Sequence, residues 1–298
     1  MSPKDLLLAL VVIVAWGLNF VVIKVGLDGL PPMLLGALRF ALVAFPAALF
    51  IRRPKLPWRW LLAYGATISL GQFAFLFEAM AHGMPPGLAS LVLQSQAFFT
   101  LFFAALFLRE RLRPASVLGL LVAAGGLAMI GLEGDHVTPM LALLLTLCAG
   151  AMWAMGNIIT RRFGNVDLVA LVVWGALVPP LPFLALSWWL EGQARIVDSL
   201  LNIHLSSLLS LAYLAFIATM LGYGLWSTLL SRYPAGKVAP FSLLVPVVGL
   251  SSSAWLLGER LGPLQWAGGA LVMVGLLINV FGPRLFSGRA AGRATPSR

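Results

Sequence analysis

Ten continuous apolar runs occupy most of this chain and constrain its fold more than any other feature. They fall at residues 5–25, 33–51, 59–80, 86–107, 114–132, 138–160, 168–189, 206–230, 236–256 and 263–283. A helix that crosses a bilayer needs about 20 mostly apolar residues, so each run suffices for one crossing. Membrane barrel strands are about half that length and alternate apolar with polar residues, which these runs do not. Composition agrees: 60% of residues are hydrophobic and 10% charged, against about 25% charged in soluble domains. The predicted fold is an all-α integral membrane bundle of ten transmembrane helices, here numbered spans 1 to 10.

The connections are short and rich in Pro, Gly and charge, as in RRPKLP (52–57), GMPPG (83–87), EGDH (133–136) and YPAG (233–236). The longest, at about 190–205, has room for a short interfacial helix. None holds a soluble catalytic or nucleotide-binding domain, and no GxxxxGK[ST] phosphate loop occurs, which argues against an ATP-driven pump. An intramembrane enzyme needs paired catalytic groups. Here His82, His136 and His204 lie in or near connections, and no aspartate lies deep in a span. Cys148 is the only cysteine, so neither an internal disulfide nor a cysteine metal centre forms. No enzyme activity and no cofactor is expected. The start, MSPKDLLLALVVIVAW, lacks a small-x-small cleavage site and reads as an uncleaved first helix.

The net charge of +10 would suggest nucleic acid in a soluble protein. In a membrane protein the bases report orientation instead, and no nucleic-acid partner is expected. With the N-terminus inside, the inner segments hold Lys4, Arg52, Arg53, Lys55, Arg59, Arg109, Arg111, Arg113, Arg161, Arg162, Arg232, Lys237, Arg284, Arg289, Arg293 and Arg298. The outer ones hold Arg195 and Arg260, while Lys24 and Arg39 fall within spans. That asymmetry predicts both termini on the cytoplasmic side of the membrane.

Residues 108–114 read LRERLRP and residues 257–263 read LGERLGP. A shift of 149 aligns 87–128 with 236–277 without gaps and pairs Gly87 with Gly236, Glu110 with Glu259, Pro114 with Pro263, Gly119 with Gly268 and Gly126 with Gly275. A shift of 137 pairs Trp16 with Trp153 and Lys24 with Arg161. The chain thus divides into a first five-helix repeat (1–133), a second (134–286) and a basic tail expected to be disordered (287–298). Five is odd, so the second repeat enters the membrane inverted. Its copy of the turn then lies outside, where extra positive charge opposes insertion, which accounts for Arg109 and Arg113 becoming Gly258 and Gly262.

Inverted repeats are a common architecture of secondary transporters, with a midplane site exposed alternately to each side. The pattern resembles the drug/metabolite transporter superfamily, EamA type. The resemblance rests on the two Glu-Arg-Leu turns with a nearby Pro and a Gly-rich helix, on Trp16 and Asn19, and on Arg39 and Phe40. WGLNFVVIKVGL, GMPPGLASLVLQSQAFFTLFF, YLAFIATMLGYGLW and SLLVPVVGL are similar to the branch that exports O-acetylserine and cysteine. The resemblance implies outward transport of such metabolites. Export of other amino acids or drugs is the same-class alternative, and a membrane scaffold without solute flux the alternative of another class. The sequence carries no signal for oligomeric state or coupling ion.

Polar side chains in lipid are costly and usually face the bundle interior. Helical spacing groups Trp16 with Asn19 and Ile23, Ser69 with Gln72, and Ser90 with Gln94, while Gln96 points elsewhere. It also groups Trp153 with Asn157, Thr219 with Tyr223 and Trp226, and Ser242 with Pro246, Gly249 and Ser253. The candidate path residues are Trp16, Asn19, Arg39, Gln72, Gln94, Trp153, Asn157, Tyr223, Trp226 and Pro246. Their uncharged donors and acceptors suit a zwitterionic amino-acid metabolite. The competing reading is that small and amide residues join helices in lipid. Arg39 could attract a carboxylate or hold a structural partner. Pro246 frees a carbonyl in span 9. Glu78 is a coupling candidate if protons are exchanged. Glu110 and Glu259 read as structural, accepting from helix-start N–H groups or pairing with an adjacent arginine.

Overall fold

The computed structural model describes residues 1–132, 139–163 and 166–291. Every regular element among them is helical. Among the described residues, nine helices are long and apolar enough to cross a membrane: Pro3–Gly29, Trp58–Ala81, Pro86–Leu108, Pro114–Leu132, Met140–Thr160, Leu168–Leu190, Leu205–Arg232, Ala239–Leu257 and Pro263–Gly282. These are spans 1 and 3 to 10. Span 2, Pro32–Ala48, has 17 residues, about 26 Å at 1.5 Å per residue, the short limit for a crossing. The expected connecting helix is present at Gln193–Leu201, with no buried residue. The helix of span 10 continues to Ala291, so residues 287–291 of the predicted tail are helical. His136, Arg293 and Arg298 lie outside the described residues.

The spans are not uniform α-helices, and their irregularities repeat. Span 3 is π-helical over Gly65–Gly71, and its counterpart span 8 over Tyr213–Leu221. Span 4 tightens to a 3₁₀ turn at Leu93–Ser95, and its counterpart span 9 over Ala239–Leu244. Span 7 breaks between Gly175 and Pro180, where Pro179 and Pro180 supply no N–H groups.

Spans 5 and 10 meet through glycines. A Cβ on Gly119 would lie 2.6 Å from the Gly275 carbonyl oxygen, and one on Gly275 2.5 Å from that of Gly119. Gly126 and Gly268 block each other in the same way. Since Gly119 corresponds to Gly268 and Gly126 to Gly275 in the repeat, each residue meets the copy of the other. That reciprocal pattern is the contact expected between two elements related by a two-fold axis. Elsewhere the halves interleave: span 1 packs on spans 8 and 9, and span 6 packs on spans 3 and 4.

Spans 2 and 4 both begin Pro-Pro, at Pro31-Pro32 and Pro85-Pro86, with no side-chain cap of their own. The second half caps both. Glu191, after span 7, accepts from the N–H groups of Met33 (2.6 Å) and Leu34 (3.3 Å). Glu259, after span 9, accepts from Gly87 (2.9 Å) and Leu88 (3.4 Å) and from the Ser253 hydroxyl. Glu110, the repeat counterpart of Glu259, is exposed and accepts from Arg161 Nη1 at 3.2 Å through both oxygens.

The two copies of the opening turn share a backbone shape. Gly258 ends span 9 in the left-handed region at φ 66°, and Arg109 ends span 4 there at φ 56°. A side chain costs about 1–2 kcal/mol in that conformation. The turn geometry therefore favours glycine in both copies, and only the first carries arginine.

Candidate functional site

A cavity of about 440 Å³ lies within the bundle, in the range of small-molecule sites. Both halves build it. Trp16, Asn19 and Phe20 of span 1, Arg39 of span 2, Tyr64, Ile68, Gln72, Phe73 and Leu76 of span 3, and Ser90, Leu93, Gln94 and Gln96 of span 4 form one side. Trp153, Asn157 and Thr160 of span 6, Leu168 of span 7, Ala218, Tyr223, Trp226 and Leu230 of span 8, and Ala239, Ser242 and Val245 of span 9 form the other.

Nine of the ten candidate path residues are in this wall: Trp16, Asn19, Arg39, Gln72, Gln94, Trp153, Asn157, Tyr223 and Trp226. Pro246 is buried and does not line the cavity. The Ser242 carbonyl, four residues earlier, accepts from the Val245 N–H in the 3₁₀ turn and also from Gln94 Nε2 at 3.3 Å. The face expected on span 9 divides: Ser242 lines the cavity, Gly249 packs against the Ser90 side chain, and Ser253 donates to Glu259. Ile23, grouped with Trp16 and Asn19, is fully buried in the core. Ser69 lines a small recess of about 20 Å³ with Thr219, Arg39 and Tyr223, the last two of which also line the cavity. Glu78 is outside the wall and lies 3.3 Å from His82 Nδ1. Cys148 is exposed on span 6.

Gln96 was expected to point elsewhere, but it lines the cavity and accepts from Asn157 Nδ2 at 3.0 Å. The 3₁₀ turn just before it is the reason. Three residues per turn instead of 3.6 advance the chain by about 120° per residue rather than about 100°, which swings Gln96 towards the Gln94 side. Tyr64 was missed for a related reason. Tyr64, Ile68, Gln72 and Leu76 all line the cavity at a spacing of four. In a regular α-helix that spacing drifts by about 40° per step, and the wider π-helical turn between them offsets the drift.

Specific bonds hold the wall. Trp16 Nε1 donates to the Ala218 carbonyl at 3.0 Å, and the Tyr213 hydroxyl donates to the Ala15 carbonyl at 2.9 Å. Both join span 1 to the π-helical stretch of span 8. The Trp16 ring sits 5.3 Å from both Tyr223 and Trp226, centroid to centroid. Arg39 donates from Nη2 to the Thr219 hydroxyl at 3.2 Å, and its guanidinium lies 4.0 Å from the Phe73 ring centroid. Arg39 is the charged residue of the wall.

The cavity is asymmetric along the bundle. Its wall reaches Thr160, Leu168, Leu230 and Ala239, at the end that carries the N-terminus. Towards the other end spans 1, 4 and 9 close together: a Cβ on Gly17 would collide with Val248, and one on Gly249 with Ser90.

The EamA-like transporter family model matches residues 4–132 and 140–281. This chain belongs to the EamA-like transporter family. An Escherichia coli (strain K12) relative, named a probable amino-acid metabolite efflux pump, is 53% identical over 291 residues, covering 95% of this chain and 97% of its own length. A Streptantibioticus cattleyicolor relative, named a probable terminal-alkyne amino-acid exporter, is 28% identical over 96% of this chain and 95% of its own. A solved structure titled only as the crystal structure of a protein superposes with a TM-score of 0.63 at 20% identity, covering 93% of this chain and 96% of its own. It establishes likeness of fold.

Proposed function

We propose that this protein is a secondary transporter that exports small amino-acid metabolites, O-acetylserine, cysteine or close relatives, across the bacterial inner membrane. The observation that carries the reading is the cavity: its polar wall is mostly uncharged and is contributed by both repeats, so a rocking of one half against the other would expose it to each side in turn. The base distribution supports both termini being cytoplasmic. The wall reaching the N-terminal end then corresponds to an inward-facing state. The name borne by the 53% identical relative supports cargo of this class.

Counterflow in liposomes carrying the purified protein tests the proposal. With unlabelled O-acetylserine inside, labelled O-acetylserine or cysteine should accumulate above protein-free liposomes. Asn19→Ala and Gln94→Ala should each cut the initial rate about tenfold, the worth of one well-placed polar contact to a charged group. Exchange of an unrelated amino acid or drug, with neither of these compounds exchanging, would overturn the cargo.

A further inference from the structure

Three side chains of the cavity wall hold polar atoms without a hydrogen-bond partner: Arg39 at Nε and Nη1, Asn19 at Oδ1 and Gln72 at Oε1. All three are more than nine-tenths buried, at 3%, 8% and 4% exposure. Such groups are rare, because an unmet buried donor or acceptor costs about 1–3 kcal/mol and a charged one more. Phe73 and Phe40 hold the guanidinium by their ring faces, which offers it no acceptor. The unmet groups are complementary in kind. Arginine donors call for an anionic acceptor, and a carboxylate fits their fork. Amide oxygens call for a cationic or neutral donor.

We infer that spans 1 to 3 read the α-carboxylate and α-ammonium of the cargo, with Arg39 taking the carboxylate and Asn19 and Gln72 the ammonium. The cargo side chain then faces the second half, where Trp153 and Trp226 meet it. Selectivity for the amino-acid head is therefore strict, and selectivity for the side chain loose. This inference rests on the proposed cavity function but not on any one cargo.

The test is ligand-induced thermal stabilisation of the purified protein, with three probes that differ in one group: cysteine, 3-mercaptopropionate (no ammonium) and cysteamine (no carboxylate). Alanine, propionate and ethylamine repeat the comparison without a thiol. The expected order is amino acid, then carboxylate, with no shift from the amine. Arg39→Gln should raise the half-saturating concentration of the amino acid at least tenfold, and Arg39→Lys should recover part of it. If Arg39→Gln is not monodisperse, Thr219→Val, which removes the one hydrogen bond of the guanidinium, should weaken carboxylates selectively. Equal shifts from amine and acid, no shift from any acid, or unchanged binding in these variants would overturn the inference. Failure of O-acetylserine and cysteine counterflow with the acid preference intact would remove only the cargo assignment.

A separate observation concerns closure. Glu259 caps the start of span 4 at Gly87, while its counterpart Glu110 binds Arg161. The repeat register maps Glu110 to Glu259 and Gly87 to Gly236. We propose that the caps exchange as the transporter switches: Glu259 seals the outer end here, and Glu110 seals the inner end by capping the start of span 9 once Glu259 has released span 4. The reporter is Ser90→Cys in a Cys148→Ala background, one turn below the Glu259 cap, labelled from outside by a membrane-impermeant thiol reagent. Glu259→Gln should raise the labelling rate about tenfold, since a charge-assisted cap is lost, and Glu110→Gln should leave it at or below the parent. An unchanged rate in Glu259→Gln, or a rise in Glu110→Gln, would overturn the exchange.

Discussion

Gly126→Leu should leave almost no correctly assembled protein, while Gly125→Leu, its immediate neighbour, should behave as the parent. Within the bilayer, lipid is as apolar as leucine, so burying apolar surface does not hold two helices together. Close packing does, and small residues permit it. Spans 5 and 10 use this device: at Gly126 any side chain would run into the Gly268 carbonyl, the Val272 amide and the Leu271 side chain, two of them backbone that cannot turn aside. At Gly125 a Cβ meets nothing within 4 Å. Overpacking a tight contact costs about 1–3 kcal/mol or more. A leucine against backbone belongs at the upper end, a change of about a hundredfold in the folded fraction. The measurement is the yield of monodisperse protein and its thermal midpoint in mild detergent. Parental behaviour of Gly126→Leu would mean that spans 5 and 10 do not meet at this seam. Gly268→Leu should fail in the same way, since it meets the Gly126 carbonyl from the other side.

Those glycines show which parts of the fold are legible in sequence. Gly119, Gly126, Gly268 and Gly275 stand in register because the repeat copies them, and span length follows from bilayer thickness. The polar wall was legible for the same reason: Asn19, Gln72, Gln94 and Asn157 interrupt apolar runs, and a polar group in lipid needs a destination. What was lost is phase and partnership. Gln96 and Tyr64 face the cavity only because a 3₁₀ turn and a π-helical stretch alter the angular advance, and neither leaves a distinctive residue pattern. Pro246 was read as freeing a carbonyl, but the Ser242 carbonyl four residues earlier still accepts from the Val245 N–H in the 3₁₀ turn and takes Gln94 as a second donor. The Glu191 and Glu259 caps bridge 158 and 172 positions in sequence, so no local capping motif announces them. Their one trace is the Pro-Pro start of spans 2 and 4, a helix beginning without a cap of its own.

Restoring the two missing arginines, as Gly258→Arg with Gly262→Arg, should misplace the turn between spans 9 and 10 in more than roughly half of the molecules. The variant turn would read LRERLRP, the same heptad as the turn between spans 4 and 5. Its three bases would act against crossing to the outer side, because short basic loops stay in the cytoplasm. The backbone does not forbid the change. Arg109 already occupies the left-handed conformation that Gly258 adopts, at φ 56° against 66°, so the folded turn accepts arginine for about 1–2 kcal/mol. Topology, not turn strain, is then what keeps glycine there. Gly258→Asn with Gly262→Asn is the control, since asparagine tolerates the left-handed region and adds no charge. A phosphatase fused after residue 262, active only outside, reads the outcome. It should be active in the parent and the asparagine pair and fall to a minority of that activity in the arginine pair. Parental activity in the arginine pair would leave the glycines explained by turn geometry alone, and the first copy would then carry its strained Arg109 for a reason unrelated to orientation.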